Sequence, residues 1–201
     1  MVALIQNLRK KHPSLWRLIE SMNSSLISLR MHNRFADIII EIESFEAPTG
    51  CRFRKVKNKD IDQCFHFLAT FDEVDLLYFH PFPFSIATLQ KVISEHNYLL
   101  FAAERNDRIV GLFFYRLFFT GRAFLGFSVA KTERGHGLGT AMIRALAKGA
   151  KKGNLDLYST VSRQNISSMK AHMTADHFEI VEELPNDYVV LHLEDAASEK
   201  E

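Results

Sequence analysis

The stretch from Phe127 to Met142, FSVAKTERGHGLGTAM, constrains this chain more than any other. An apolar run ends near Val129, and a short polar link, Ala130 to Glu133, follows. Arg134-Gly135-His136-Gly137-Leu138-Gly139-Thr140 then runs into a helix-period pattern. Glycines at a helix start remove Cβ atoms, so backbone N–H groups can approach a ligand closely. The first amides of a helix lack intrahelical acceptors and sit at the positive end of its dipole. Together these features make an anion site, most naturally for a phosphate or pyrophosphate.

Two familiar phosphate patterns do not fit. The Walker pattern requires Gly-Lys-Ser/Thr, whereas Gly139 is followed directly by Thr140. The dinucleotide fingerprint requires Gly-x-Gly-x-x-Gly/Ala, but its third position falls on Thr140 or Met142. Asp156 lies about twenty residues on, where a ribose-binding acid would stand, without restoring the glycines.

The spacing that fits is Arg-x-x-Gly-x-Gly, as Arg134, Gly137 and Gly139. It resembles the acyl-CoA-binding motif of the GNAT acetyltransferase superfamily, which lies between that family's fourth strand and third helix. A second stretch is similar to the family's other motif. The strand LDLYSTV (Leu155 to Val161) precedes Asn165, a helix carrying Ser168 and His172, then Phe178 and the strand FEIVEEL. The resemblance covers about Arg52 to Leu193. It implies an α/β (α+β) fold, a central twisted mixed sheet of about seven strands flanked by helices. It divides the chain into an N-terminal helical extension (1–33), the transferase domain (34–195) and a polar tail (196–201).

Composition reads as an ordinary soluble globular protein. The 201 residues can bury a full core, 47% are hydrophobic, and the net charge is +1, which gives no general attraction to nucleic acid or membrane. Two cysteines, Cys51 and Cys64, suit a reducing compartment and form no metal-ligand spacing. The opening MVALIQNLRKK puts apolar residues before basic ones, the reverse of a signal peptide. The apolar run Ile109 to Tyr115 is too short to span a bilayer. These features point to the cytoplasm.

Along the chain, Leu15, Leu18, Ile19, Met22, Leu26 and Leu29 recur at helical spacing, so residues 1–33 read as helix. That stripe would cover the domain, a second copy in a homodimer, or a membrane surface. The β-branched run FADIIIEIESF, Phe35 to Phe45, reads as a strand. Another strand (Cys51 to Lys57) and a helix (Lys59 to Phe71) follow, then an aromatic loop from Asp72 to Phe84 stiffened by Pro81 and Pro83. That loop would wall an acceptor pocket or fill core. A helix from Ser85 to His96 leads to strands Tyr98 to Glu104 and Arg108 to Phe118, joined by a tight turn. Gly153 reads as the left-handed cap of the helix after the glycine loop.

The resemblance implies the chemistry. The backbone at Phe127 and Val129 would pair with the pantetheine arm of acetyl-CoA, as a peptide adds to a sheet edge. The amides of Arg134, Gly135, His136, Gly137, Leu138, Gly139 and Thr140 would hold the pyrophosphate. Asn165 and Ser168 would reach the pantetheine, or Asn165 would serve only as a helix N-cap. Transfer to a small amine acceptor, an amino sugar as first expectation, needs a base for the amine and a donor for the thioester oxygen, plausibly the Val129 N–H. The leaving thiolate needs a proton, and no metal is required. Many family members carry a tyrosine seven residues after the asparagine. His172 stands there and could give the proton, or could be a surface histidine. The family's strand-four glutamate is missing from Phe124 to Val129, which leaves His80 and Glu104 as candidate bases. A non-catalytic acyl-CoA sensor, an O-acetyltransferase or a longer-acyl transferase would use the same fold.

Overall fold

The computed structural model describes residues 13–48 and 50–194. The expectations for residues 1–12 and for the tail 196–201 lie outside the described residues, as do the side chains of Leu15, Leu18 and Ile19. Helix α1 spans Pro13–Glu43 and strand β1 spans Arg52–Lys55. A 3-10 turn, Asn58–Asp60, leads into α2 (Ile61–Ala69), α3 (Glu73–Tyr78) and α4 (Ile86–Ser94). Strands β2 (Tyr98–Arg105), β3 (Arg108–Leu117) and β4 (Arg122–Val129) form an antiparallel meander. Then come α5 (Leu138–Gly153), β5 (Asp156–Ser162), α6 (Ile166–Ala175), β6 (Phe178–Leu184) and β7 (Tyr188–Leu193).

The strands make one seven-stranded sheet in the order β1-β2-β3-β4-β5-β7-β6, in which only β4 and β5 run parallel. This is the mixed α/β architecture that the resemblance implies. Alternate side chains along a strand face opposite sides. Phe53, Phe101, Phe113 and Tyr115 pack with α1 and α5 on one face of the sheet. Leu100, Ala102, Leu112 and Phe114 pack with α2 and α4 on the other. Asn106 and Asp107, at φ 49° and 60°, make the two-residue left-handed turn that closes β2 onto β3.

The strand expected over Phe35 to Phe45 is instead the last three turns of α1, and the expected boundary at residue 33 falls inside that helix. Ile27, Met31, Ile38 and Ile42 form its buried face, at helical spacing. The described part of the stripe read from the sequence is turned outward: Leu29 is 81% exposed, and Met22 and Leu26 are also on the surface. What overrides the β-branched composition is a close fit to α5. A Cβ added at Gly149 would lie 3.0 Å from Ile42 Cδ1, and one at Gly153 would lie 2.4 Å from Ile38 Cδ1. Gly153 is therefore a contact point rather than the cap. Asn154, at φ 49°, takes the left-handed position.

This register has a direct test. Ile38→Ala should cost about 2–5 kcal/mol in denaturant unfolding, as for other fully buried aliphatic truncations. Ile40→Ala, at a position 64% exposed, should cost under about 1 kcal/mol. Equal losses would contradict the helix.

Candidate active site

Strand β4 pairs with β5 over only three positions, Arg122↔Asp156, Ala123↔Leu157 and Phe124↔Tyr158. Beyond these the strands part, and β5 continues with β7 alone. The Ala130 N–H donates to Val110 O at 2.8 Å, so the main chain at 130 faces β3. Because β3 and β4 pair without a register shift, the peptide groups of Phe127 and Val129 face the gap. Their side chains pack toward α5, where a Cβ added at Gly139 would lie 3.0 Å from the Phe127 ring.

After Val129 comes a 3-10 turn, Lys131–Glu133, and then the glycine loop. Gly135 and Gly137 have φ of 80° and 81°, a conformation that L side chains rarely adopt. Nothing lies within 4 Å of a Cβ placed at either. Gly137 is the N-cap of α5, and the first intrahelical bond runs from the Ala141 N–H to Gly137 O at 3.0 Å. The amides of Leu138, Gly139 and Thr140 precede that bond, at the positive end of a sixteen-residue helix. Leu138 is buried in the core and His136 is exposed, so each would serve a ligand through its backbone. An open, positively polarised cradle beside an unpaired strand edge fits an acyl-CoA.

Arg134 plays a part that its position in the motif did not reveal. Its Nε donates to Val129 O at 3.1 Å, and its Nη2 pairs with Asp75 at 2.6 Å. Lys131 pairs with Asp72, and the hydrogen bond from Lys131 holds the Asp72 carboxyl down at about 2. The supposed loop over Asp72 to Phe84 thus contains a helix, α3, tied to the glycine turn. Asp72 caps it by accepting from the Asp75 N–H at 3.0 Å, while Asp75 accepts from the Asp72 N–H. The Asp-x-x-Asp spacing signalled that capping box, but its cationic partners lie 59 residues away.

On the far side of the gap, Asn165 caps α6 by accepting from the Ser168 N–H at 3.1 Å. The Ser168 carbonyl in turn accepts the His172 Nδ1–H at 2.8 Å. A carbonyl can only accept, so this bond fixes the proton on Nδ1 and leaves Nε2 with a lone pair. His172 is 1% exposed, between the rings of Phe127 (5.7 Å) and Phe178 (5.3 Å). Burial pushes its pKa down to about 4. The expectation of His172 as proton donor meets a ring that is uncharged at neutral pH and whose one N–H is engaged.

Glu104, the second candidate base, is engaged on both oxygens. It is 4% exposed, with Arg52 Nε at 2.7 Å and Arg54 Nε at 2.5 Å. Burial raises its pKa, but the two guanidinium hydrogen bonds outweigh that, leaving it below the usual carboxylate range. A carboxylate so stabilised is a poor base. His80 remains open. Its Nδ1–H donates to Leu76 O at 3.0 Å, its ring stacks on Phe84, and its Nε2 is free to accept a proton. Phe79 and Phe84 touch Phe114 or Phe82, so the aromatics near His80 are partly core, as one of the two expectations had it.

Residues 61–175 match the model of the Acetyltransferase (GNAT) family, more than half of the chain. The chain belongs to the GNAT family.

Solved structures extend that result at the level of fold. The GNAT domain of S. lividans PAT superposes with a TM-score of 0.63 at 16% identity, covering 71% of this chain and 89% of that one. AAC(6')-Ib, solved with paromomycin and acetyl-CoA, gives 0.59 at 15% identity, over 73% and 94%. Mycobacterium smegmatis RimJ, solved with CoA-disulfide, gives 0.59 at 15% identity, over 71% and 81%. Among curated proteins none matches the sequence. This GNAT-family chain has no helix, among the described residues, long and apolar enough to cross a membrane.

The state of His172 predicts a pH effect on stability. Its folded pKa, about 4, lies below the ordinary value of 6.5, so the unfolded chain binds the proton more readily. The stability this group contributes is complete above pH 6.5 and is lost as pH falls toward 4, by up to about 3 kcal/mol. Unfolding of wild type and His172→Phe across that range should show a flatter profile for the variant, and identical slopes would refute the assignment.

Proposed function

We propose that this chain transfers the acetyl group of acetyl-CoA to the amine of a small acceptor, within a ternary complex in the cytoplasm. The observation that carries the reading is the glycine turn lying directly beside the open edge of β4. Acetyl-CoA would supply a thioester, and its diphosphate would rest on the amides of residues 135–140, the Arg134 N–H already donating to Lys131 O at 3.4 Å. The backbone at Phe127 and Val129 would hold the pantetheine arm, and the Val129 N–H would meet the negative charge that develops on the thioester oxygen. Asn165, with its Oδ1 engaged by the cap, retains an amide NH2 for that arm, and Ser168 lies beside it.

For the acceptor half, His80 is the base that geometry favours, because its Nε2 lone pair is unengaged and its ring is fixed by Leu76 and Phe84. The rings of Phe79 and Phe84 would meet the apolar face of a sugar or similar amine. Support for an amino sugar comes from AAC(6')-Ib, whose structures hold paromomycin, ribostamycin or kanamycin. A second reading, a non-catalytic acyl-CoA sensor, draws on the engaged state of Glu104 and the missing proton of His172.

Thiol release from acetyl-CoA, measured over a panel of amines that includes amino sugars, separates the two. Acceptor-dependent turnover is expected, with kcat falling about a hundredfold or more in His80→Gln. Turnover unaffected by that change would remove His80 as base, and binding without turnover on any amine would favour the sensor. Gly137→Val should raise the acetyl-CoA KM by about tenfold or more, since a branched side chain strains the left-handed turn by about 1–3 kcal/mol. An unchanged KM would count against the cradle.

A further inference from the structure

Two of the three acids at the start of α3, Asp72 and Asp75, pair with the two cations of the glycine turn. Lys131 pairs with Asp72 and lies 3.6 Å from Asp75, while Arg134 pairs with Asp75 at 2.6 Å. Two positive and two negative side chains therefore cancel in the free protein. Glu133, between the two cations in sequence, is held separately by Arg105 at 3.0 Å. The Asp75 side chain is only 6% exposed, whereas Lys131, Asp72 and Arg134 are each about half exposed.

These pairs matter because α3 has little else to hold it. None of its six residues is buried, and Val74 and Leu77 are 67% and 64% exposed. The flanking segments are anchored: Phe71 and Phe79 pack against the α2–α4 core, and Phe82 is buried in it. Helix α3 is thus a short strap between fixed ends, fastened to the phosphate loop by charge.

A diphosphate placed on the 135–140 amides would bring negative charge beside two cations that are already paired. It would compete with Asp72 and Asp75 for Lys131 and Arg134, since each cation can neutralise one of the two claimants but not both. We propose that Asp75 and Asp72 are positioning residues: they fasten α3 to the glycine turn in the free protein and release it when a CoA diphosphate takes their cations. Donor binding then loosens the acceptor side. This rests on the donor-site reading above.

The test uses coenzyme A itself, with the affinity read by calorimetry and the motion by amide hydrogen exchange. In wild type, CoA should slow exchange at 135–140 and speed it across 73–79. Asp75→Asn removes one competitor, so it should bind CoA about threefold to tenfold more tightly, with α3 exchanging fast already in the free protein. The gain should shrink near molar salt, where screening reaches about 3 Å. Asp72→Asn keeps a capping side chain and should shift affinity in the same direction through Lys131, which covers the case of an Asp75 variant that does not fold. CoA that slows exchange in α3, or variants that bind CoA equally or more weakly, would overturn the proposal while leaving the donor site standing. Wild type that binds no CoA would sink both.

Discussion

A strand that loses its neighbour must find other partners for its amides or keep them for a ligand. Strand β4 meets that condition after Phe124, where its pairing with β5 stops, and the rest of the molecule is arranged around the gap. Phe127 leans on the start of α5 through Gly139, and on the other side it meets the His172 ring, which also touches Phe178 at the start of β6. His172 is in this sense a wedge. A neutral imidazole, turned by its bond to Ser168 O, fills the space that keeps the two halves of the sheet apart. The glycine turn then falls at the mouth of the gap because the chain leaves β4 at that end.

The β1 edge of the sheet depends on charge as well as on the buried Phe53 ring. Arg54 reaches Asp60 at 2.8 and 3.1 Å and Glu104 at 2.5 Å, and Arg52 shares Glu104. This network fastens the short strand β1 and the 3-10 turn after it to β2. Glu104 and Asp60 are both buried, and removing Arg54 would take the ion-pair partner from Asp60 while leaving Glu104 with Arg52 alone. A row of guanidinium groups on an edge strand also discourages pairing with another chain.

The donor half of the site was legible because it is local. Arg134, Gly137 and Gly139 stand within six residues, and the main-chain conformation they need is written in the glycines themselves. The sheet was legible for a similar reason, since β2, β3 and β4 are long, apolar and consecutive. What failed depended on partners distant in sequence. Nothing in FADIIIEIESF announces that Ile38 and Ile42 fit against two glycines more than a hundred residues later, so β-branching prevailed in the reading. The states of Glu104 and His172 are equally non-local. Arg52 and Arg54 define one, and the rings of Phe127 and Phe178 define the other. In the aromatic segment the two prolines dominate the local pattern and mask the Asp-x-x-Asp helix start.

The fit of α1 to α5 ties together two stretches that translation makes far apart. Each notch on α5 has the depth of one absent methyl group, and each isoleucine tip occupies one notch. Size at positions 38 and 153 is therefore negotiable only as a pair, and an alanine at 153 needs the facing side chain cut back past its Cγ1, which would lie 2.7 Å away; at 149 the Tyr115 hydroxyl, 2.8 Å away, must give as well as Ile42. Descendants of this sequence that drift at one end of such a pair should carry the compensating change at the other. The α1 helix, read at first as an appendage, would then share the evolutionary history of the catalytic half.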